Sequence, residues 1–468
     1  MQMLNAGKHS VERVLSDILI AILIGPCVLR TAGFAQISPA STPSDVRSSS
    51  EKLTVAGAVD LALKQNLEVQ IANIDTATKQ QDRVIARSAL LPHAAFEADD
   101  SINRHNLEAL LGIQIPLPGV PHSIGPYQAV HVGPSFYAPV FDLTLIRRYQ
   151  ATGHALAASL ADEQTIREET VLLTVSEYMA HLRALASIAA VKSRVELATR
   201  LAHQAEDLLS DGVSSKIDVS RAQVRLSEEK QKLIDSQRDA DITLNALKRI
   251  LNMLDSQQIE FVDARDFFQT PSVDVPDPLA TALIQRPELH SLNEFSKAAQ
   301  LANRAAVAQS LPKFSLDGFW DLQGERFNTA TPGYQYRIRM DVPIFTGGRL
   351  RAERKSTSLA AQRIQKQLLE ERNRVTEEVR DEQVELQSAL NQVDLGRQEV
   401  QLANEEVTLS EGRFQSGVTD NIEVTQAQDS LARANDAEIG ALFRYNIARA
   451  RLARAVGGAE HSYTSPSQ

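Results

Sequence analysis

Cysteine and aromatic residues are scarce in this chain. Its 468 residues include one cysteine and one tryptophan, and aromatic side chains account for 5% of the total. The cysteine, Cys27, lies in an N-terminal segment that is typical of a cleaved export signal, so a mature chain without it has no disulfide or thiolate metal site. Hydrophobic residues make up 43% and are spread over long tracts rich in Ala, Leu, Glu, Gln and Arg. This composition favours extended helices with narrow contact seams over a thick globular core.

The sequence also lacks a basic character, long apolar runs and the common catalytic motifs. The net charge is -10, and no Lys/Arg-rich block offers a nucleic-acid surface. After residue 36, no apolar run approaches the roughly 20 residues that a transmembrane helix requires. HExxH, Walker, GxSxG and GxGxxG motifs are absent. His181 and His203 are predicted to lie singly on helix surfaces, so we expect no enzyme activity, no metal site, no cofactor and no nucleic-acid partner.

The N-terminus is typical of a secretory signal peptide. A polar stretch with positive charge precedes an apolar run at 18–29, which is too short to span a membrane comfortably. Small residues at 33–35 suit signal peptidase, and we predict a signal peptide over residues 1–35. An uncleaved N-terminal anchor is the alternative. Pro26 precedes Cys27 where a lipoprotein signal has a small residue, so lipidation is not expected.

A Gly turn followed by the same helical start occurs twice in the chain. "SDGVSSKIDVSRAQVRL" aligns with "QSGVTDNIEVTQAQDSL", and the alignment pairs Gly212 with Gly417. It also pairs Asp218 with Glu423, which keeps the negative charge. Upstream, "AVDLALKQNLEV" matches "PLATALIQRPEL" and "SALLPHAAFEA" matches "AQSLPKFSLDG". The chain is therefore predicted to consist of two structural repeats.

Each predicted repeat has the same internal order: a helical stretch of about 36 residues ending at Leu-Pro, two strands, a long Pro-free helix, a Gly turn and a last helix. The first repeat is predicted at 36–254, with strands at 93–104 and 127–141 and helices at 143–210 and 216–254. The second is predicted at 277–456, with strands at 313–324 and 333–345 and helices at 350–416 and 420–456. An inter-repeat segment occupies 255–276 and a C-terminal tail 457–468.

The long helices carry a coiled-coil pattern. Val379, Leu386, Val393 and Val400 recur every seven residues, and small residues such as Ala389 stand three positions after them. A strict seven-residue repeat predicts coiled-coil packing with a left-handed supercoil. At about 1.5 Å per residue, each long helix would reach on the order of 100 Å.

The strand segments alternate between apolar and polar residues, most clearly in "KFSLDGFWDLQ" and "YQYRIRMDVPIF". This period fits a half-buried soluble strand and a membrane β-barrel strand equally well. Export and a strand length of roughly ten residues favour the membrane interpretation. The predicted lipid-facing residues are Phe314, Leu316, Trp320, Tyr336, Ile338 and Met340. The first repeat is less regular, because Asp100 falls on its apolar face.

Four strands are too few for a membrane barrel, since the smallest have about eight and open edges are not tolerated in lipid. Several chains would therefore have to pool their strands, and we expect an obligate oligomer. Trp320 and the strand tyrosines fit a belt at the membrane interface. Ordinary strand packing explains them as well.

The duplicated "ALKQNLEV"-type entry, the Leu-Pro strand entries, the "VPIFTGGRLRAE" strand exit and the two Gly turns resemble the TolC family of outer-membrane efflux channels. The resemblance implies a mainly α fold with a membrane β portion. It implies a homotrimer with a 12-stranded β-barrel that is continuous with a 12-helix α-barrel crossing the periplasm. Its implied role is passive export, with a periplasmic adaptor, an inner-membrane transporter and outer-membrane lipid as partners.

The resemblance also assigns roles to the two Gly turns. The residues implied in the periplasmic tip turns and adaptor docking are Gly212, Val213, Asp218, Gly417 and Val418. The residues implied in the entrance constriction are Asp420, Glu423 and Gln426. A carboxylate in the first turn of a helix also stabilises the helix dipole, and for Asp218 we favour this structural interpretation.

Two other functions remain open at this point. A secreted soluble coiled-coil scaffold would bury its strands in a small sheet and would need no detergent. A periplasmic adaptor would have one hairpin between split β-domains, and the duplication argues against that.

Overall fold

The computed structural model describes residues 51–107, 109, 112, 122–212, 215–254, 256–271, 276–416 and 421–464. These residues form mainly helices, with one four-stranded sheet and one two-stranded sheet. The predicted signal peptide, 1–35, and Cys27 lie outside them.

The first helical stretch is divided in two. Helix α1 (Val55–Gln65) is capped by Thr54, whose hydroxyl accepts a hydrogen bond from the Gly57 amide at 3.0 Å. Helix α2 (Leu67–Ser88) follows after Asn66, whose side chain accepts from the Glu68 amide at 2.8 Å. Asn66 has an extended backbone, so the prediction of one continuous stretch is wrong at this residue. Its short amide side chain ends one helix and caps the next.

The second repeat divides at the equivalent place. Helix α5 (Pro278–Gln285) ends before Arg286, and helix α6 (Pro287–Ala308) begins at Pro287. Proline lacks an amide hydrogen and is favoured at the first helical position, so Pro287 ends one helix and begins the other. The sequence signal for this break is the proline in "QRPEL".

The long helices are α3 (Leu143–Ser210), with 68 residues, and α7 (Arg349–Gln415), with 67. Each turns back into a helix of 35 residues, α4 (Lys216–Ile250) and α8 (Asn421–Ala455). Both α2 and α4 pack against α3, and both α6 and α8 pack against α7. Helix α3 also packs against α6 and α8, so the long helix of the first repeat joins the two repeats.

Two predicted helix ends are corrected. Helix α4 ends at Ile250, not at 254, because Asn252 adopts a left-handed φ of 51° and Met253 donates back to the Lys248 carbonyl at 2.9 Å. This is a common way to end a helix. Helix α8 ends at Ala455 by the same geometry, with Gly457 at φ 78°.

Four antiparallel strands form a sheet in the order β2-β3-β5-β6. Their bounds are β2 His93–Asn106, β3 Ser123–Phe141, β5 Lys313–Gly324 and β6 Thr331–Asp341. The first two are longer than the predicted 93–104 and 127–141, because pairing continues to a bond from the Leu107 amide to the His122 carbonyl at 3.0 Å. Strand β6 is displaced from the predicted 333–345. It ends at Asp341, since Pro343 has no amide hydrogen to extend the ladder.

The inter-repeat segment completes a small parallel sheet that was not predicted. Strand β1 (Glu51–Leu53) pairs with β4 (Ile259–Phe261), and a 3-10 turn follows at Asp266–Phe268. The Tyr178 hydroxyl of α3 donates to the Leu53 carbonyl at 2.9 Å. The segment therefore contributes Phe261 and the buried Phe267 to the main core.

The predicted C-terminal tail contains a short helix, α9 (Ala459–Tyr463). The buried carboxylate of Glu168 on α3 accepts a hydrogen bond from the Ala459 amide at 2.7 Å. Arg167, its neighbour, forms an ion pair with Glu460. Burial raises the pKa of the Glu168 carboxyl, and the backbone amides oppose that rise. These contacts attach α9 to the long helix α3.

Candidate functional site

The four-stranded sheet has one polar and one apolar face. Asp317 stands opposite Arg337 on β5 and β6, and Leu316 stands opposite Ile338, so successive side chains point to alternate faces. On the apolar face, Phe96 is 71% exposed and Ile338 is 79% exposed. The helices of the described chain leave these side chains uncovered. A soluble scaffold would have buried them.

The six residues predicted to face lipid lie on this apolar face. Five of them are exposed and Leu316 is half-buried. Trp320 pairs in register with Tyr334, the rings of Tyr334 and Tyr336 are 5.9 Å apart, and Phe136 lies 6.0 Å from Tyr336. These four residues form an aromatic row across three strands, in the middle part of β5 and β6.

Asp100, which interrupts the apolar pattern of the first repeat, has a partner on the same face. The Gln128 amide donates to its two carboxylate oxygens at 2.8 and 2.9 Å. Asp100 pairs with Val130, and Val130 pairs with Gly324. The polar pair therefore lies beyond Trp320, on the loop side of the aromatic row.

The polar face of the sheet carries paired charges. Arg337 donates to Asp317 at 2.6 and 2.9 Å, and His131 lies 3.3 Å from Asp321. The Ser135 hydroxyl donates to Glu97 at 2.9 Å. These groups need water or each other, so this face suits an aqueous lumen.

The first hairpin tip contains Gly212 and Asp218. Gly212 has a φ of 75°, in the left-handed region that favours glycine. The Asp218 carboxylate accepts from the Ser215 backbone amide at 3.2 Å, and the Asp218 amide donates to the Ser215 hydroxyl at 3.4 Å, which makes a capping box. In this structure, the Asp218 side chain therefore caps the N-terminus of α4. Val213 lies outside the described residues.

The second hairpin tip is described only in part, because Gly417, Val418 and Asp420 lie outside the described residues. Glu423 is described, and its carboxylate lies 3.1 Å from the Arg413 guanidinium on α7. Gln426 is exposed. Arg413 was not predicted as a tip residue. Its position ten residues before Glu423, on the helix that enters the turn, could have indicated that the two side chains lie close together.

Two arginines join the first hairpin to α8, and neither was predicted. Arg225 on α4 contacts Glu229 at 3.2 Å and forms an ion pair with Asp429 on α8. Arg194 on α3 contacts Glu229 at 3.3 Å and Asp436 on α8 at 3.2 Å. Glu229 is buried, so these guanidiniums balance a carboxylate that would otherwise be costly to bury.

The prediction for His181 is wrong, whereas His203 lies exposed on α3. His181 is 4% exposed, and its Nδ1 lies 3.1 Å from both the Ala240 carbonyl and the Thr243 hydroxyl of α4. Its ring centroid is 4.3 Å from that of Phe261. Burial lowers the pKa of this imidazole. The burial of His181 could not be predicted from the local sequence, because the residue that covers it, Phe261, comes from the inter-repeat segment.

Among the residues that the structure describes, no helix is both long and apolar enough to cross a membrane. No group of three or more His, Cys, Asp or Glu side chains there is arranged to hold a metal ion.

Known proteins resemble this chain along most of its length. Residues 58–253 and 279–458 match the family model described as outer membrane efflux protein. The probable efflux pump outer membrane protein TtgC of Pseudomonas putida is 24% identical over 423 residues, which cover 87% of this chain and 83% of TtgC. The antibiotic efflux pump outer membrane protein ArpC of Pseudomonas putida has the same identity and coverage.

Solved structures share the fold. The outer membrane channel CmeC of Campylobacter jejuni superposes with a TM-score of 0.75 at 19% identity, over 86% of each chain. The outer membrane protein VceC of Vibrio cholerae gives a TM-score of 0.72 at 18% identity, over 86% of this chain and 96% of VceC. The family resemblance predicted from the sequence is confirmed, and the family's function is transport across the outer membrane. The chain belongs to the outer membrane efflux protein family, whose TolC-like channels lie in the outer membrane and extend into the periplasm.

Proposed function

We propose that three copies of this chain form the outer-membrane exit duct of a tripartite efflux or type I secretion system. The sheets would close into a 12-stranded barrel, and the helical hairpins would form a 12-helix tunnel below it. Substrates would pass through passively after an inner-membrane transporter and a periplasmic adaptor deliver them.

The observation that carries the proposal is the unfinished sheet. Within the described chain, β2 pairs only with β3 and β6 pairs only with β5, so each has an edge without a partner strand. Open edges are not tolerated in lipid, and four strands cannot close a membrane barrel. Pairing β6 of one copy with β2 of the next supplies the missing bonds, and three copies give twelve strands.

The helices support a tunnel. At about 1.5 Å per residue, α3 and α7 each reach on the order of 100 Å, more than twice the thickness of a bilayer with its headgroups. Leu395, Leu402 and Leu409 lie exposed along α7 at seven-residue spacing. This stripe is separate from the buried seam of Val379 and Val393, and it suits contact with a helix of a neighbouring copy.

The tips would meet the partners. We propose that the adaptor docks at the turns that contain Gly212, Val213, Asp218, Gly417 and Val418. Asp420, Glu423 and Gln426 would narrow the entrance. The relatives are named as parts of pumps for antibiotics and, in one Pseudomonas putida strain, for toluene. We propose that this chain works with a pump of the same kind, and that the inner-membrane transporter selects the substrate.

One matched pair of substitutions tests the barrel. I338R places a charge on the apolar face, where a charge at the bilayer midplane costs about 2–4 kcal/mol per chain. Q335R places the same charge on the polar face of the same strand. We expect I338R to abolish heat-sensitive trimers in outer-membrane fractions and Q335R to retain them.

Native mass measurement and planar-bilayer recording complete the test. The unchanged chain should purify in detergent as a trimer and conduct ions. Recovery as a water-soluble monomer, or equal tolerance of I338R and Q335R, would contradict the proposal.

A further inference from the structure

The two strand hairpins of the sheet have the same register once the repeats are aligned. Aligning the prolines of "LLPHAAF" and "SLPKFSL" makes His93 equivalent to Lys313, and aligning those of "YAPVF" and "DVPIF" makes Tyr137 equivalent to Asp341. In the structure, His93 pairs with Tyr137 and Lys313 pairs with Asp341. The equivalence of the repeats therefore extends to individual residue pairs in the strands.

The junction between the two hairpins of one chain provides a template for the junction between two copies. Strand β3 of the first repeat pairs there with β5 of the second. When the repeats exchange places, the equivalent junction is β6 with β2 of the next copy, which closes the proposed barrel. Within the chain, Ser135 stands opposite Phe319. Their equivalents are Arg339 and Asp99, so the template places Arg339 opposite Asp99 of the next copy.

The two open edges of the sheet carry complementary charges on the polar face. On β6, Arg337 and Arg339 share one carboxylate, since Asp317 lies 2.6 Å from the first and 3.8 Å from the second. On β2, Glu97 accepts from a serine hydroxyl, and the Asp99 side chain has no hydrogen bond or ion pair with another described residue. One edge thus has excess positive charge and the other excess negative charge. Opposite charges that face each other across two strands stabilise the pairing.

The apolar face fits the same register. Phe136 stands opposite Gly318, where an added β-carbon would lie 2.8 Å from the Phe136 ring, so a large side chain covers a small residue. The equivalents at the boundary between copies are Met340 and Ala98, which again combine a large residue with a small one. A shift by one residue would exchange the polar and apolar faces of one strand, so it is not compatible with this sheet.

A register shifted by two residues would keep the faces, and it is the main rival. It would place Arg337 opposite Asp99 and Arg339 opposite Glu97, so the charges alone do not choose between the two registers. The repeat equivalence favours the unshifted register, because both hairpins obey it. That register also sets Asp341 opposite Glu97, and Arg339 lies diagonally across from this second carboxylate, within reach of a long side chain.

We infer that Arg339 of one copy forms an ion pair with Asp99 of the next copy, and that this contact sets the register in which the three sheets join. The inference rests on the proposed barrel and specifies how its copies recognise each other. The equivalent residues inside the chain, Ser135 and Phe319, are uncharged, so at this position of the sheet the charge pair is confined to the boundary between copies.

Disulfide formation tests the register. The only cysteine, Cys27, lies in the predicted signal peptide, and C27A is included in every variant. The double variants D99C/R337C, D99C/R339C and D99C/D341C represent three neighbouring registers. Directly opposite residues lie about 4.5–5.5 Å apart, within the range of a disulfide, whereas residues displaced by two positions lie about 7–8 Å apart, beyond it.

S135C/F319C is the matched control, because it places two cysteines at the equivalent position inside one chain. Outer-membrane fractions are oxidised, boiled and separated on non-reducing gels. We expect D99C/R339C to give covalent trimers. The control should lose its free thiols and remain a monomer on the same gel.

The other outcomes separate the inference from the proposed function. Covalent trimers from D99C/R337C or D99C/D341C in place of D99C/R339C would overturn the register and leave the barrel standing. Heat-sensitive trimers that none of the three combinations cross-links would refute the inferred strand pairing, provided that the control is oxidised. If the unchanged chain forms no trimer, the proposed function itself fails.

Charge reversal tests the ion pair. D99R and R339D each place like charges opposite each other, so each should lower the temperature at which the trimers dissociate. D99R/R339D restores opposite charges and should raise that temperature again, toward the value of the unchanged chain. A double variant that is no more stable than the single variants would show that the two side chains do not face each other.

Discussion

Arg286 donates a hydrogen bond to the Ala455 carbonyl at 3.2 Å, joining the break between α5 and α6 to the end of α8. The first repeat makes the equivalent contact, from the Asn66 side chain to the Ile250 carbonyl at 2.9 Å. In each repeat, the residue at the break between the first two helices donates a hydrogen bond to the carbonyl of the last residue of the helix that follows the Gly turn. The two contacts differ in chemistry, because Arg286 is buried and charged.

R286M is expected to destabilise the protein by about 3–5 kcal/mol, since it removes a buried guanidinium from the carboxylates of Glu288 and Glu378. Burial by itself raises the pKa of Glu378, but hydrogen bonding to Arg286 and the charge of Arg454 hold it below its ordinary value. N66A removes only a neutral bond and a cap, for about 1 kcal/mol. Thermal unfolding of both variants measures the difference, and equal losses would contradict a charge-based role for Arg286.

G212A and G412A should shift stability in opposite directions. A β-carbon at either position would meet no heavy atom within 4 Å, so neither substitution causes a clash. Gly212 has a left-handed backbone, in which alanine costs about 1–2 kcal/mol. Gly412 lies inside α7, where alanine gains up to about 1 kcal/mol. Chemical denaturation measures both, and a neutral G212A would show that the turn relaxes.

The helical tracts and the alternating strands could be predicted because their signals are local. The absence of proline from 143 to 210 and the seven-residue spacing of Val379 and Val393 need no knowledge of distant residues. The missed features depend on distant partners. Asp100 is explained by Gln128 on the next strand, and Glu423 meets Arg413 across a turn. No local pattern specifies such pairs.

His181 predicts a pH dependence of stability. Its pKa is lowered in the folded chain by burial, whereas the unfolded chain has the ordinary value of about 6.5. The unfolded state therefore binds the proton first as the pH falls, and stability should decline below about pH 6.5 until the folded pKa is reached.

H181Q should remove this decline, and H203Q should retain it because His203 is exposed. Unfolding of the two variants and the unchanged chain between pH 7.5 and pH 5.5 measures the slope, which is at most about 1.4 kcal/mol per pH unit for one group. Identical slopes for all three proteins would assign the pH dependence to other groups.

Glu423 and Arg413 should have opposite effects on cation block of the channel. If three copies of Glu423 line the proposed entrance, their carboxylates attract cations, and each Arg413 at 3.1 Å offsets that charge. E423Q should therefore weaken block of single-channel current by divalent cations, while R413Q should strengthen it. E196Q, at an exposed carboxylate of α3, provides the comparison and should leave block unchanged. Planar-bilayer recordings at fixed ionic strength measure all three, and block that is equal in E423Q and R413Q would place this ion pair away from the conducting path.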